Sequence, residues 1–165
     1  MEEKMKILIT GSKGFVGKNL IETLKTIRDG KCDIYKYDTD NSLSELKNYT
    51  KDCDIVFHLA GINRPQNIDE FYTGNYGFTE ILCNYLKENQ NKCPMIVSSS
   101  IQADKDNDYG KSKKMSEDYL LNFGKENGNK IYYSEKGERG NRRRSSRRIG
   151  GSRYVLSLLL SKALP

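Results

Sequence analysis

Short apolar runs alternate along this chain with longer stretches in which apolar residues recur every three or four positions. Ile7-Leu8-Ile9 is apolar at each position and too short for a helix, which predicts a strand buried on both faces. From Phe15 the period becomes helical, through Val16, Leu20, Ile21, Leu24 and Ile27. Asp29-Gly30 is a turn signal, residues 33–37 read as a second strand, and that strand ends at Asp38. Residues 42–49 predict a short helix capped by Ser42, with Leu43 and Leu46 on one face. A third strand at 55–59 runs into Ala60-Gly61. A long helix is predicted to follow Asn75, with Phe78, Ile81, Leu82, Tyr85 and Leu86 inward. Residues 95–97 make a fourth strand tipped by Ser98-Ser99-Ser100, and 104–108 a polar loop. A helix at 109–123 turns Met115, Tyr119, Leu120 and Phe123 inward, and 130–133 is a fifth strand. Strand and helix in alternation imply an α/β fold, a doubly wound parallel sheet with its ligand at the carboxyl ends of the strands. No internal repeat is present.

Three glycines, Gly11, Gly14 and Gly17, lie between the first strand and the first helix. Gly11 permits a sharp turn, Gly14 lets backbone approach a ligand, and Gly17 lets the helix lie close to the strand. The N–H groups at the helix start, Phe15 and Val16, then face an anion. In this strand–turn–helix context the glycines predict a Rossmann-like dinucleotide cradle, against the alternative of a turn that binds nothing. Asp38, 21 residues after Gly17, suits the adenosine ribose hydroxyls and repels a 2′-phosphate, favouring NAD over NADP. Asp40 competes for that role, and Lys36 weakens the preference. Tyr109 and Lys113 are four apart, hence on one helix face. An ammonium near a phenol lowers its pKa from about 10 and makes it a usable proton donor or acceptor. A serine hydroxyl nearby can hold a substrate oxygen.

Composition alters this picture mainly at one end. With 165 residues one domain is the simplest reading. The charged opening at 1–6 argues against a signal peptide, and no apolar run approaches the ~20 residues of a membrane span. Cys32, Cys53, Cys83 and Cys93 have neither metal spacing nor a disulfide-dense pattern, and His58 is the single histidine. No metal site is expected, and reduced thiols fit a cytoplasmic protein. The net charge of +6 is unevenly spread. Residues 136–165 hold nine Lys/Arg and one acidic residue, whereas residues 1–135 hold 19 and 21. Arginine also replaces lysine there, seven against two, while 1–135 contains only Arg28 and Arg64. The Arg142–144 and Arg147-Arg148 cluster lacks interleaved aromatics, so nucleic-acid binding is not expected. The expected division is a dinucleotide-binding domain at 1–135 and a basic tail at 136–165 that is not native to the fold, from a shifted reading frame or a fusion scar.

The pieces together resemble the extended, sugar-nucleotide branch of the short-chain dehydrogenases/reductases, the NAD-dependent epimerase/dehydratase family. They are TGSKGFVG at 10–17, HLAG at 58–61, Asn75 opening the long helix, SSS at 98–100 and YGKSK at 109–113, in family order. The resemblance implies that Tyr109 is the acid/base and that Lys113 holds the nicotinamide ribose and lowers the tyrosine pKa. It implies that Ser100, with Ser99 second, orients the substrate oxygen. Gly11, Gly14, Phe15, Val16, Gly17, Asp38, Leu59, Ala60, Gly61, Asn75, Tyr109 and Lys113 would contact the cofactor, NAD or NADP. HLAGINRP, SSSIQA and DNDYGKSK are more narrowly similar to the reductase domain of CapF-type capsular polysaccharide enzymes. Those enzymes reduce a 4-keto sugar nucleotide on the way to UDP-N-acetyl-L-fucosamine. The implied function is reduction or epimerisation of a nucleotide sugar; the alternative is a dinucleotide-binding module without turnover. The expected partner is a nucleotide sugar, and a homodimer is left open. Two departures stand out. Only 16 residues separate Asp38 from Ile55, so a strand and an adenine-contacting acidic residue of the family are missing. The family pattern also stops after Tyr133, before a substrate domain and, for CapF-type enzymes, a cupin domain.

Overall fold

The computed structural model describes residues 3–28, 30–98, 103, 105–134 and 148–149. Strands β1 (Met5–Thr10), β2 (Cys32–Tyr37), β3 (Ile55–His58), β4 (Met95–Ser98), β5 (Ile131–Ser134) and β6 (Arg148–Ile149) pair in parallel. Their order is β2-β1-β3-β4-β5-β6. The helices are α1 (Phe15–Arg28), α2 (Leu43–Tyr49), α3 (Asp69–Phe71), α4 (Phe78–Glu88) and α5 (Asp108–Asn127). A π-helical turn, Tyr72–Gly77, joins α3 to α4.

The alternation of side chains along β1 divides the core. Ile7 and Ile9 pack with Leu20, Ile21 and Leu24 of α1 on one face of the sheet. Leu8 packs with Leu46 of α2, Leu82 and Leu86 of α4 and Leu120 of α5 on the other. All three β1 residues are fully buried, and each such side chain contributes about 1.5–3 kcal/mol relative to exposure. Ser42 caps α2 in a reciprocal box with Glu45, as expected. The doubly wound parallel sheet is therefore observed. Its strand order reverses between β1 and β3, whose carboxyl ends are Thr10 and His58. That switch point is where an open α/β sheet forms its ligand crevice.

Several local expectations are corrected. Helix α1 starts at Phe15 as the period predicts, and of that apolar period Phe15 (83% exposed), Val16 and Ile27 lie outside the core. Gly17 is the α1 residue pressed onto the turn after β1, at Gly11 and Ser12, and Phe15, two positions earlier, points about 200° around the helix. Leu43 is likewise exposed while Leu46 is buried. Asn75 does not open the long helix; it sits inside the π-helical turn, six residues after the helical run begins at Asp69. Met115 is exposed, because the buried stripe of α5 is Ser112, Ser116, Leu120 and Phe123. Met115 lies about 100° from Ser116. β5 is not the last strand: Arg148 and Ile149 pair with Tyr133 and Ser134. Two residues beyond the expected boundary at 135 thus join the sheet. The rest of 136–165 lies outside the described residues, as do Asp29, Ser99, Ser100 and Asp104.

Candidate active site

Gly11 follows β1 with φ +71°, a left-handed conformation that favours glycine. A Cβ at Gly11 would lie 2.7 Å from the Ala60 nitrogen and 2.9 Å from the Leu59 carbonyl carbon. The turn after β1 therefore rests directly on the Leu59-Ala60-Gly61 turn after β3. A Cβ at Gly17 would overlap the Gly11 carbonyl oxygen and come within 2.9 Å of Ser12 Cα. A Cβ at Gly14 would meet only the Gly11 oxygen, at 3.3 Å, so its other sides are open. The loop is closed by Gly14 N donating to Gly11 O (3.1 Å) and Lys18 N donating to Gly14 O (2.9 Å). Gly11 and Gly17 are thus glycines for packing, and Gly14 leaves backbone accessible at the α1 N-terminus, where N–H groups lack intrahelical partners.

Asp38, at the end of β2, reaches back to this loop. Its Oδ2 accepts from Lys13 N at 2.7 Å and its Oδ1 from Thr39 N at 2.8 Å. Each carboxylate oxygen has a second lone pair, so capacity to accept from a ligand remains. Asp40 is committed elsewhere, to the Lys13 ammonium at 2.5 Å. The two aspartates that compete on sequence spacing are therefore distinguished by geometry: Asp38 turns toward the glycine loop backbone, Asp40 toward a surface lysine.

The residues expected to carry the reaction gather around Gly61. Asn75 Oδ1 accepts from Ile62 N (2.8 Å), and its Nδ2 donates to Ile62 O and Ser112 Oγ (both 3.0 Å). Ser112 Oγ in turn donates to the Tyr109 carbonyl at 2.9 Å. The π turn that aims Asn75 is permitted by Gly74, where a Cβ would press into Ile62, 2.7 Å from its Cγ1. Gly61 faces two of these groups. A Cβ there would lie 3.1 Å from Asn75 Oδ1 and 3.3 Å from Lys113 Nζ. Tyr109, one turn before Lys113 on α5, is half-buried edge-to-face against Phe71, ring centroids 5.6 Å apart. Gly61, Asn75, Lys113 and the Tyr109 backbone are thus brought together, beside Ala60 and the glycine turn. Ser98 at the tip of β4 lines the same pocket with Lys113 and Glu117. The expected Ser100 falls outside the described residues.

Burial presses the Lys113 ammonium below its usual range, and Glu117, one turn along α5, opposes that. His58 is fully enclosed and its pKa falls to about 3, through desolvation first and the Lys113 charge second. Its Nδ1 lies 2.8 Å from Thr10 Oγ1 and its Nε2 2.9 Å from Thr79 Oγ1. Thr79 Oγ1 donates to the Asn75 carbonyl (2.7 Å), and Ala60 N donates to Thr10 Oγ1 (3.4 Å). Periodicity missed Thr10, Thr79, Ser112 and Ser116 because buried hydroxyls carry no apolar signal. The signal available was positional: a threonine ends β1, Thr79 follows Asn75 by four residues, and Ser112 and Ser116 follow Tyr109 by three and seven.

Comparison with known proteins places this geometry. Residues 7–134 match the NAD dependent epimerase/dehydratase family. The chain is 38% identical over 128 residues to a UDP-2-acetamido-2,6-beta-L-arabino-hexul-4-ose reductase of Pseudomonas aeruginosa, covering 78% of this chain and 34% of that protein. The capsular polysaccharide assembling protein CapF of Staphylococcus aureus superposes with a TM-score of 0.68 at 36% identity, covering 87% of this chain and 39% of that one. A UDP-N-acetylglucosamine 4-epimerase of Bacillus cereus superposes at 0.64 with 26% identity, covering 84% and 59%. The chain thus spans little more than a third of the length of the reductase and of CapF. Among the described residues, no helix is long and apolar enough to cross a membrane. With the glycine cradle, the HLAG turn and the YGKSK helix all inside the matched segment, the chain belongs to the NAD dependent epimerase/dehydratase family.

Proposed function

We propose that this chain is the dinucleotide-binding and proton-transfer half of a nucleotide-sugar reductase or epimerase, acting on a 4-keto sugar nucleotide for surface polysaccharide synthesis. The observation that carries the reading is the convergence of Lys113 Nζ and the Asn75 amide on Gly61, directly beside the turn that packs on Gly11. A nicotinamide dinucleotide bound here supplies or accepts hydride at a sugar carbon. Open backbone at Gly14 and the α1 N-terminus at Phe15 and Val16 hold its diphosphate. Asp38 accepts from the adenosine ribose hydroxyls, which favours NAD over NADP. Leu59, Ala60 and Gly61 form one wall of the cradle, bare of side chain at Gly61. Lys113 donates to the nicotinamide ribose, Tyr109 moves the proton at the sugar oxygen, and Ser100 orients that oxygen. A cytoplasmic setting belongs to the same reading.

Titration of the chain with NADH, followed by nucleotide fluorescence, tests the cradle. Saturable binding that is lost in Gly14→Val is expected; equal affinity for variant and parent overturns it. The second reading is a dinucleotide-binding unit without turnover. Binding without turnover on a nucleotide sugar separates the two. We further propose that residues 136–165, apart from the Arg148–Ile149 pair that joins the sheet as β6, stand outside this unit, since the family match ends at 134 and the basic residues change there from lysine to arginine. A family-like continuation after Tyr133 in another reading frame of the gene is the expected finding.

A further inference from the structure

His58 is the single histidine of the chain, and the hydride-transfer reading gives it no task. Both ring nitrogens nevertheless meet buried hydroxyls. The Thr79 hydroxyl gives its proton to the Asn75 carbonyl, so it must accept from the ring, and Nε2 is the protonated nitrogen. Nδ1 then accepts from the Thr10 hydroxyl, whose oxygen is left to receive the Ala60 N–H. This one proton arrangement satisfies every group in the chain. The opposite tautomer would draw the Thr79 proton to Nε2, leave the Asn75 carbonyl with only the Phe78 N–H, and set Nδ1–H and the Ala60 N–H both on the Thr10 oxygen.

We propose that His58 is a positioning residue, a neutral Nε2-protonated crosslink that fixes the Ala60 turn and the Asn75 turn at one separation across the tip of β1. The proposal rests on the reading of this site as a dinucleotide cradle. Ala60 is the residue against which Gly11 packs. Asn75 is the residue whose amide ties Ile62 to Ser112 and so to the turn of α5 that carries Tyr109. His58 therefore joins the anion-binding half of the site to its proton-transfer half. Its neutrality matters because Lys113, from α5, lines the same pocket, as does Glu117 one turn further on. The other elements against the ring offer no charge: Thr10 from β1, and Thr79 and the Phe78 ring from α4. A second cation here would repel the lysine that the reaction needs.

The test uses the full chain labelled with ¹⁵N, in which long-range ¹H–¹⁵N spectra show a single imidazole. An acceptor-type Nδ1 and a protonated Nε2, unchanged from pH 8 to pH 5, are expected. A protonated Nδ1, or titration near the ordinary histidine pKa of about 6.5, overturns the proposal. Thr79→Val keeps the shape and removes the acceptor for Nε2–H; Thr79→Ser restores it. Thr79→Val should weaken NADH binding about tenfold with an unchanged far-UV spectrum, and Thr79→Ser should stay within about twofold of the parent. Equal affinity of all three overturns the crosslink. If the parent binds no NADH the dinucleotide reading fails, and the imidazole spectrum then decides on His58 alone.

Discussion

The three glycines of the cradle should respond differently to the same substitution. Gly11→Ala places a Cβ in a left-handed conformation, at about 1–2 kcal/mol, and drives it to 2.7 Å from Ala60 N and 2.9 Å from Ala60 Cα. Those neighbours are main chain and cannot rotate away, so overpacking adds about 1–3 kcal/mol. The expected loss is about 2–5 kcal/mol. Gly17→Ala has ordinary helical geometry and gains about 1 kcal/mol of helix propensity. Its Cβ, however, overlaps Gly11 O and meets Ser12 Cα at 2.9 Å, again main chain. With overpacking at the upper end of its range, the net loss is about 2 kcal/mol. Gly14→Ala meets one atom at 3.3 Å in an ordinary conformation. The reduced freedom of its unfolded chain offsets a small contact cost, leaving stability within about 0.5–1 kcal/mol of the parent. Urea unfolding monitored by circular dichroism gives the order, provided the m-values agree. NADH affinity should show a different order, with Gly14→Ala weakened despite its stability. If Gly14→Ala unfolds as early as Gly17→Ala, the contacts assigned to Gly17 are not what holds α1 on the sheet.

In a full-length relative carrying this segment, Tyr109→Phe should abolish turnover and leave NADH affinity within about twofold, because only the hydroxyl is removed; near-parental turnover removes Tyr109 from the mechanism. Asp38→Ala should narrow the preference for NADH over NADPH, since the carboxylate repels a 2′-phosphate; tighter NADPH binding by the parent contradicts the assignment. Stability should depend on pH below neutrality through His58. Its folded pKa of about 3 lies below the unfolded value of about 6.5, so the unfolded state binds the extra proton. Stability is full above about pH 6.5 and falls by about 1.4 kcal/mol per pH unit below it. The carboxylates held low by Lys13, Ser42 and Lys6, namely Asp40, Glu45 and Asp52, act in the same direction only below about pH 4.5. Denaturant titrations at pH 7.5 and 5.5 isolate the histidine, and a His58→Gln chain that keeps the slope contradicts the assignment.

The sheet was legible because a parallel strand covered on both faces must be apolar at nearly every position. Ile7-Leu8-Ile9, Ile55-Val56-Phe57 and Met95-Ile96-Val97 stand out for that reason, and the observed β1, β3 and β4 contain them. The glycine turn was legible because Gly11 and Gly17 answer to steric constraints that no other residue meets. The helix starts were harder. Residues 69–77 carry two glycines and few aliphatic side chains, so the turn that aims Asn75 left no helical period to find. The apolar period alone does not show that Phe15 is exposed, because Gly17, without a side chain, is the first contact point of α1. His58 could be read as enclosed by an apolar strand, but its tautomer depends on Thr10 and Thr79, far apart in sequence.

One gradient runs through all three helices that border the site. Each follows a parallel strand and so begins at the carboxyl end of the sheet. Helix α1 presents Gly17 first, then Leu20, Ile21 and Leu24. The helical run containing α4 presents Asn75 and Thr79, then Leu82, Cys83 and Leu86. Helix α5 presents Ser112 and Ser116, then Leu120 and Phe123. In every case the first turns bury glycine or polar residues and the later turns bury apolar ones. The late turns hold the helices by apolar burial, worth about 1.5–3 kcal/mol for each large side chain. The early turns have little such area: α1 lies close at Gly17, and the other two are fixed by directed hydrogen bonds among Thr10, His58, Thr79, Asn75 and Ser112. Directed bonds set angles as well as distances, which packing among flexible apolar side chains does less sharply. The crevice therefore sits where the fold has given up side-chain volume, and the hydroxyls and the neutral imidazole keep that space at one shape.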